Sequence, residues 1–439
     1  MSTLLDIDGN SIDPYPLLEK KPIKKSNKPK IILILVSTLI LVGKNYCYNI
    51  PQSLETHFLN GTMRLTNLQF DLFYSVYSFP NIILPFFGGI FIDKMGNRIS
   101  LLFFCSLIVI GQFIFLLGTT FLSYFLLILG RVLFGLGSET LLIVQHTIIV
   151  KWADKNELAL AIALQAAMAK IGAIINSPIT PILYRESQGF FLPNFVGVLF
   201  CLVSFIAGVF VCFIDKRYEG RLEKIEEKRR TINLKVLIEY DSRFWLLTLQ
   251  GCLIFGSYTA FTANENHILS KLFNMSSETA GIYLMIIYVI SIIFPPIMGI
   301  FTDKYGRKPS LLLIVNICFI ACIIILIFLP SDCNHLIIII PMILHGIFLS
   351  CFFPIVWTCI PMIVKLNSLG TAYGVLSSFV NSNQAVSPII FGVIEDKTKS
   401  NYFWALVFVA FQAVIALYAT VGVWISDYKN GEVLEKAKK

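Results

Sequence analysis

The chain is 439 residues long, 56% of them hydrophobic and only 14% charged, with 35 Lys and Arg against 27 Asp and Glu for a net charge of +8. Soluble domains carry roughly 25% charged residues, and a water-exposed fold of this length has no means of hiding so much apolar surface. The composition excludes an ordinary soluble enzyme and points to a lipid bilayer as the surroundings.

Residues 1–30 are polar and hold six lysines. No cleavable signal sequence is apparent there, so the first apolar run itself must direct insertion. Within this tail the stretch DPYPLL places Asp13 four residues before Leu17 and Leu18, a pattern that resembles an acidic dileucine sorting signal for endosomes and lysosomes.

From residue 31 onward, apolar runs of about 20 residues, the length that crosses a hydrocarbon core of about 30 Å, recur twelve times. They lie near 31–54, 70–92, 99–119, 121–148, 157–182, 191–214, 243–264, 279–301, 309–329, 335–359, 370–394 and 402–426. Lys and Arg decide the orientation, because positive loops stay cytosolic. With both termini cytosolic, 27 of the 35 basic residues fall on the inside. Five fall outside (Arg64, Arg185, Lys271, Lys397, Lys399), and Lys44, Arg131 and Lys170 lie within spans. The positive charge is thus topological, and no nucleic-acid partner is expected. Two sequons, at Asn60 and Asn274, both fall in the outside loops that this orientation assigns and are candidate glycosylation sites. The ten cysteines, nearly all within spans and without a CxxC pair, read as small apolar core residues, not as a disulfide or metal framework.

The chain repeats itself. GGIFIDKMGNR at 88–98 returns as MGIFTDKYGRK at 298–308, which matches Gly89, Asp93, Lys94 and Gly96 with Gly299, Asp303, Lys304 and Gly306, with Arg98 and Arg307 closing the two stretches. ETHFL from Glu55 and ENHIL from Glu265 keep the same offset of 210 residues. Two matches at one spacing indicate a duplicated six-helix unit. The predicted organisation is therefore a cytosolic tail 1–30, a six-helix bundle 31–214, a linker 215–242 rich in charge, a second bundle 243–426 and a tail 427–439. Two six-helix halves around a site at mid-depth are a transporter plan.

The loop pattern of Gly, Asp, Gly and Arg after the second span, with its echo after the eighth, resembles the signature loop of the major facilitator superfamily. Asp93 and Lys94 at a helix end are placed to pair with neighbouring cytosolic helix ends, and Gly96 permits a tight turn, which together would latch one conformation. Arg131 with Gly135 and Gly137 is similar to that superfamily's fourth-helix motif, in which an arginine organises the bundle interior. The resemblance implies an all-α polytopic fold of twelve transmembrane helices in two pseudo-symmetric bundles. YCYNIPQSL at 46–54, SETLLIVQHT at 138–147, LQAAMAKIGA at 164–173 and LGTAYG at 369–374 narrow it to the lysosomal dipeptide transporters of that superfamily. That narrower resemblance implies a uniporter in the lysosomal membrane that releases dipeptides, cationic ones preferred, beside a glycosylated accessory membrane protein. The family's fourth-helix glutamate falls on Glu139 and its fifth-helix arginine on Lys170, which keeps the charge but loses the planar fork. A homodimer is compatible with it.

The same residues read without the family. Counting about 1.5 Å per residue from the cytosolic ends, Glu139 lies about 14 Å deep and Lys170 and Lys44 about 20 Å deep. An ionised group there costs about 2.5–3.5 kcal/mol on insertion scales, so each needs a reason. One carboxylate and two ammoniums complement a zwitterion, with Glu139 taking an amine and Lys170 or Lys44 a carboxylate. The alternative is a structural bridge between Glu139 and Lys170. Arg131 reads as structural. Glu55, His57, Glu265 and His267, at outside helix ends, read as gate or surface residues. Lys44 stands where the family carries a small residue, and a second deep lysine would repel a cationic substrate. No nucleotide-binding, metalloprotease, redox or nucleophile–base motif is present, so no cofactor, metal or catalytic residue is assigned. Two further readings stay open: a proton-coupled transporter of an amino acid, organic anion or sugar, and a non-transporting scaffold on a transporter fold.

Overall fold

The computed structural model describes residues 4–5, 11–12, 27–84, 95–152, 155–218, 240–364, 369–398 and 401–435. Its described residues form twelve long helices: α1 (Asn27–Asn60), α2 (Asn67–Ser78), α3 (Asn97–Thr120), α4 (Tyr124–Trp152), α5 (Lys155–Ser187), α6 (Phe191–Tyr218), α7 (Ser242–Leu272), α8 (Ser277–Tyr305), α9 (Lys308–Phe328), α10 (Ile339–Ile363), α11 (Leu369–Lys397) and α12 (Tyr402–Lys429). Short 3-10 turns extend α2 through Phe79–Ile82 and precede α10 at His335–Ile338. A two-residue antiparallel ladder pairs Leu4–Leu5 with Ser11–Ile12. The sorting pattern at Asp13, Leu17 and Leu18, and Gly89, Asp93 and Lys94 of the first signature loop, lie outside the described residues.

Local chemistry explains where the helices begin. Thr66 caps α2 through its side chain while Gln69 reaches back to the Thr66 amide, a reciprocal pair that satisfies two free donors. Asp241 caps α7 and Asn401 caps α12, each side chain accepting from a backbone amide of the first turn. At the two matched loops the chain enters α3 and α9 through Gly96 (φ 78°) and Gly306 (φ 70°), left-handed conformations that glycine adopts without penalty.

Among the described residues, nine helices are long and apolar enough to cross a membrane. Helices α5 and α11 carry polar residues along their lengths. Their polar side chains bond to neighbouring helices: Asn176 on α5 accepts from Ser53 at 2.6 Å, and Asn383 on α11 donates to the Cys252 carbonyl at 2.9 Å. The exposed side is apolar, as lipid requires. On α6 the exposed residues Phe195, Leu199, Leu202, Ile206, Val209 and Phe213 run along one face.

Helix packing carries the duplication into three dimensions. In the first half α1 packs on α5 and α6, α3 on α4 and α6, and α2 on α4; in the second half α7 packs on α11 and α12, α9 on α10 and α12, and α8 on α10. Each pair recurs with six added to both labels. The halves meet through α2 with α11, α5 with α8, and α1 with α7, and these contacts exchange under the same operation. Among the described residues, two large hydrophobic cores result, one centred on each half. The fold is an all-α membrane protein of two pseudo-symmetric six-helix bundles.

Candidate functional site

The site is built by close helix crossings. Gly172 on α5 lies against the Val42 carbonyl and Tyr46 amide of α1, where an added Cβ would stand 2.2 Å from the carbonyl oxygen. That approach brings Lys44 on α1 near Lys170 on α5. Gly135 on α4 sits equally close to the Tyr77 carbonyl of α2, 2.4 Å from an added Cβ. One turn further along α4, Ser138 and Glu139 therefore meet the Tyr77 side chain.

Glu139 is the centre of this cluster. Its Oε1 accepts from Lys44 Nζ at 3.2 Å and from the Tyr77 hydroxyl at 2.8 Å, and that hydroxyl also lies 2.9 Å from Ser138 Oγ. The Lys44 side chain is 10% exposed, whereas that of Glu139 is 36% exposed. Its partners come from α1 and α2, two of the helices that contact the other half. The sequence left open a bridge between Glu139 and Lys170. The structure pairs Glu139 with Lys44 instead, because α1 crosses between α4 and α5 at this depth. Lys170 is part-buried and has no hydrogen-bond or ion-pair partner among the described residues. Tyr77 had no signal in the sequence beyond being one aromatic among many.

Arg131 sits deeper, 1% exposed. It donates to the carbonyls of Tyr48 at 3.0 Å and Cys47 at 3.5 Å, and its guanidinium lies 5.4–5.9 Å from the ring centres of Tyr48, Tyr74, Phe115 and Phe134. Backbone carbonyls and ring faces replace the missing carboxylate partner. The α1 carbonyls it holds are those of the two residues just before Asn49, whose Oδ1 accepts from the Tyr288 hydroxyl of α8 at 3.2 Å. Arg131 thus fixes the part of α1 that touches the second half.

The halves are joined near the helix ends that carry Asn60 and Asn274, both exposed. Asp396 on α11 accepts from the backbone amides of Asn67 and Leu68 at 2.9 and 3.1 Å and from Asn67 Nδ2 at 2.9 Å, completing the N-terminus of α2. Asp71 accepts from Asn264 on α7 at 2.7 Å, and Glu55 from the His267 amide at 3.3 Å. His267 also bonds the Tyr402 hydroxyl. Glu395, fully buried, stands beside this group with neither carboxyl oxygen bonded among the described residues. On the other flank, Gly281 of α8 lies where a Cβ would meet the Ser177 carbonyl at 2.1 Å. Of the four residues read as gate or surface groups, Glu55 and His267 lie in this seam. Glu265 pairs with His345 at 2.9 Å inside the second half, and His57 stacks on Tyr184. Asp71 and Asp396 were missed, since acidic residues at the ends of spans look like loop charge.

At the opposite ends, each half is clasped by an aspartate on its last helix. Asp215 takes Arg98 at 3.2 Å, Lys151 at 2.9 Å and the Trp152 indole at 2.7 Å. Asp427 takes Arg243 at 3.3 Å and the amides of Leu434 and Glu435. Of the signature-loop residues, Arg98 is thus tied to α6, and the Arg307 amide, at φ 52°, donates to the Glu435 carbonyl at 2.8 Å. Gly299, Asp303 and Lys304 lie on the last turns of α8.

The sequence profile described as Major Facilitator Superfamily matches residues 32–388. The chain belongs to that superfamily. It is similar to the lysosomal dipeptide transporter MFSD1 of Bos taurus, 28% identical over 428 residues that cover 93% of this chain and 88% of the relative. The Danio rerio protein of the same name is 28% identical over 436 residues, covering 96% and 93%. A hexuronate transporter of Bacillus subtilis is 23% identical over 184 residues, covering 41% and 42%. Among solved structures, the nucleoside transporter NupG superposes with a TM-score of 0.71 at 14% identity, covering 89% of this chain and 100% of that one, a likeness of fold.

Proposed function

We propose that this chain is a dipeptide transporter of the lysosomal membrane, working as a uniporter by alternating access of its two halves. The observation that carries the reading is the unequal pairing of the deep charges. Glu139 keeps an accessible carboxylate face, and Lys170 is an ammonium with no partner among the described residues. A structural ion pair would consume both groups, whereas a zwitterion matches both. Helix α5, which carries Lys170, packs on α1 and α8, so a solute held there would touch both halves. The MFSD1 relatives, named as lysosomal dipeptide transporters, support the substrate class and the membrane.

In this mechanism the seam of Asp396, Asp71 and Glu55 closes the side bearing Asn60 and Asn274, which the reading assigns to the lumen. Substrate enters when the seam parts and leaves to the cytosol when it re-forms, while the signature loops at Asp93 and Asp303 hold or release the cytosolic ends. The test is counterflow of a labelled dipeptide into proteoliposomes with no pH difference. Uptake supports a uniporter, a requirement for a proton gradient replaces it with coupled transport, and uptake of sugars or nucleosides but of no dipeptide overturns the substrate class. Replacing Leu17 and Leu18 by alanine should reroute the full chain to the cell surface, and unchanged sorting would remove those residues from the account.

A further inference from the structure

The charges at mid-depth do not balance. Glu139 carries one negative charge, Lys44 and Lys170 one positive charge each, and only Lys44 and Glu139 are joined. Arg131 is set apart, bonded to the Cys47 and Tyr48 carbonyls and walled in by four rings. Among the described residues, the accessible part of the site therefore has an excess of one positive charge.

We propose that Lys44 is a specificity-determining residue that tunes this site to solutes of net negative charge, in the first place dipeptides with one acidic side chain. The proposal rests on the dipeptide reading and sharpens it. Both Lys44 and Tyr77 bond the same oxygen of Glu139, Oε1, and Oε2 has no partner among the described residues. A substrate amine meets Oε2 without breaking either bond. Its terminal carboxylate meets Lys170. Lys44 spends one of its three N–H donors on Glu139, and a second carboxylate on the substrate takes another. With that carboxylate bound, the site and its substrate sum to zero.

A cationic side chain meets the opposite situation. Lys44 lies between Val42 and Tyr46, the two α1 residues against which Gly172 packs, and Lys170 is two residues before Gly172. The two ammoniums already repel each other across this crossing. Glu139, a carboxylate that would attract a third cation, is partly neutralised by Lys44. Like-charge juxtaposition is an efficient means of rejecting a competitor.

The experiment uses the purified full-length protein in proteoliposomes and measures competition by Ala-Glu, Ala-Ala and Ala-Lys against labelled Ala-Ala. Wild type should bind Ala-Glu at least tenfold more tightly than Ala-Lys. Lys44→Ala should reduce that ratio at least tenfold, and Lys44→Arg, which keeps the charge, should restore it. Should Lys44→Ala fail to fold, Lys44→Gln takes its place, and the wild-type ratio stands as a test by itself. A wild-type preference for Ala-Lys, or an unchanged ratio in the variant, overturns the proposal and leaves the dipeptide reading intact. If none of the three dipeptides competes, the dipeptide reading falls. Thermal shifts with glucuronate and glucosamine then decide the charge rule: stabilisation by glucuronate supports it, and stabilisation by glucosamine alone overturns it.

Discussion

Replacing Asp396 by alanine should open the seam between the halves without harming either half. The carboxylate of Asp396 receives three hydrogen bonds from the first turn of α2, two of them from backbone amides at the positive end of the helix dipole. Hydrogen bonds to a buried charged group are worth about 1.5–3 kcal/mol each. Asp396 is exposed, so solvent screening lowers this to about 0.7 kcal/mol per bond, or about 2 kcal/mol for the three. These bonds join α11 to α2 and exist only while the seam is closed, so their loss acts on the conformational equilibrium. A bias of about 2 kcal/mol shifts that equilibrium roughly 30-fold. The capping box of Thr66 and Gln69 remains, so α2 keeps its N-terminus. The assay is the distance distribution between spin labels at Thr62 and Ser331, exposed positions on loops of the first and second half at the seam side. The variant should gain a long-distance population. A distribution identical to that of wild type would refute the reasoning.

Lys170→Met should abolish uptake while leaving thermal stability unchanged or raised, because it removes a part-buried charge without a partner among the described residues; a fall in melting temperature together with normal uptake would contradict the assignment. Arg131→Lys should cost about 2–4 kcal/mol of stability despite conserving charge, since an ammonium reproduces neither the fork toward the two α1 carbonyls nor the stacking on four rings; chemical denaturation in detergent measures it, and an unchanged midpoint counts against a structural role. Gly281→Leu should force α8 from α5, because even its Cβ would stand 2.1 Å from the Ser177 carbonyl. The expected results are lost transport and a shortened lifetime of the folded protein on heating, and normal uptake would show that the crossing is not needed in the transport cycle.

Twelve helices and their grouping into two bundles were readable from the chain alone. A run of about 20 apolar residues has few alternatives to a spanning helix, and matched loops 210 residues apart report a duplication wherever the helices end up. That Lys44, Arg131, Glu139 and Lys170 interrupt apolar runs was equally legible, since a charge inside such a run is visible in one dimension. What remained hidden was which charges meet. Lys44 and Glu139 lie 95 residues apart, and their 3.2 Å contact depends on how α1 rotates and crosses between α4 and α5, which the close approaches at Gly135 and Gly172 decide. The same holds for Asp396, which caps a helix 329 residues away, and for Asp215, whose three partners come from α3 and α4. Lipid selects helices by length and polarity, properties of a single segment. Pairing depends on the mutual rotation of several segments, a property that only the packed bundle has.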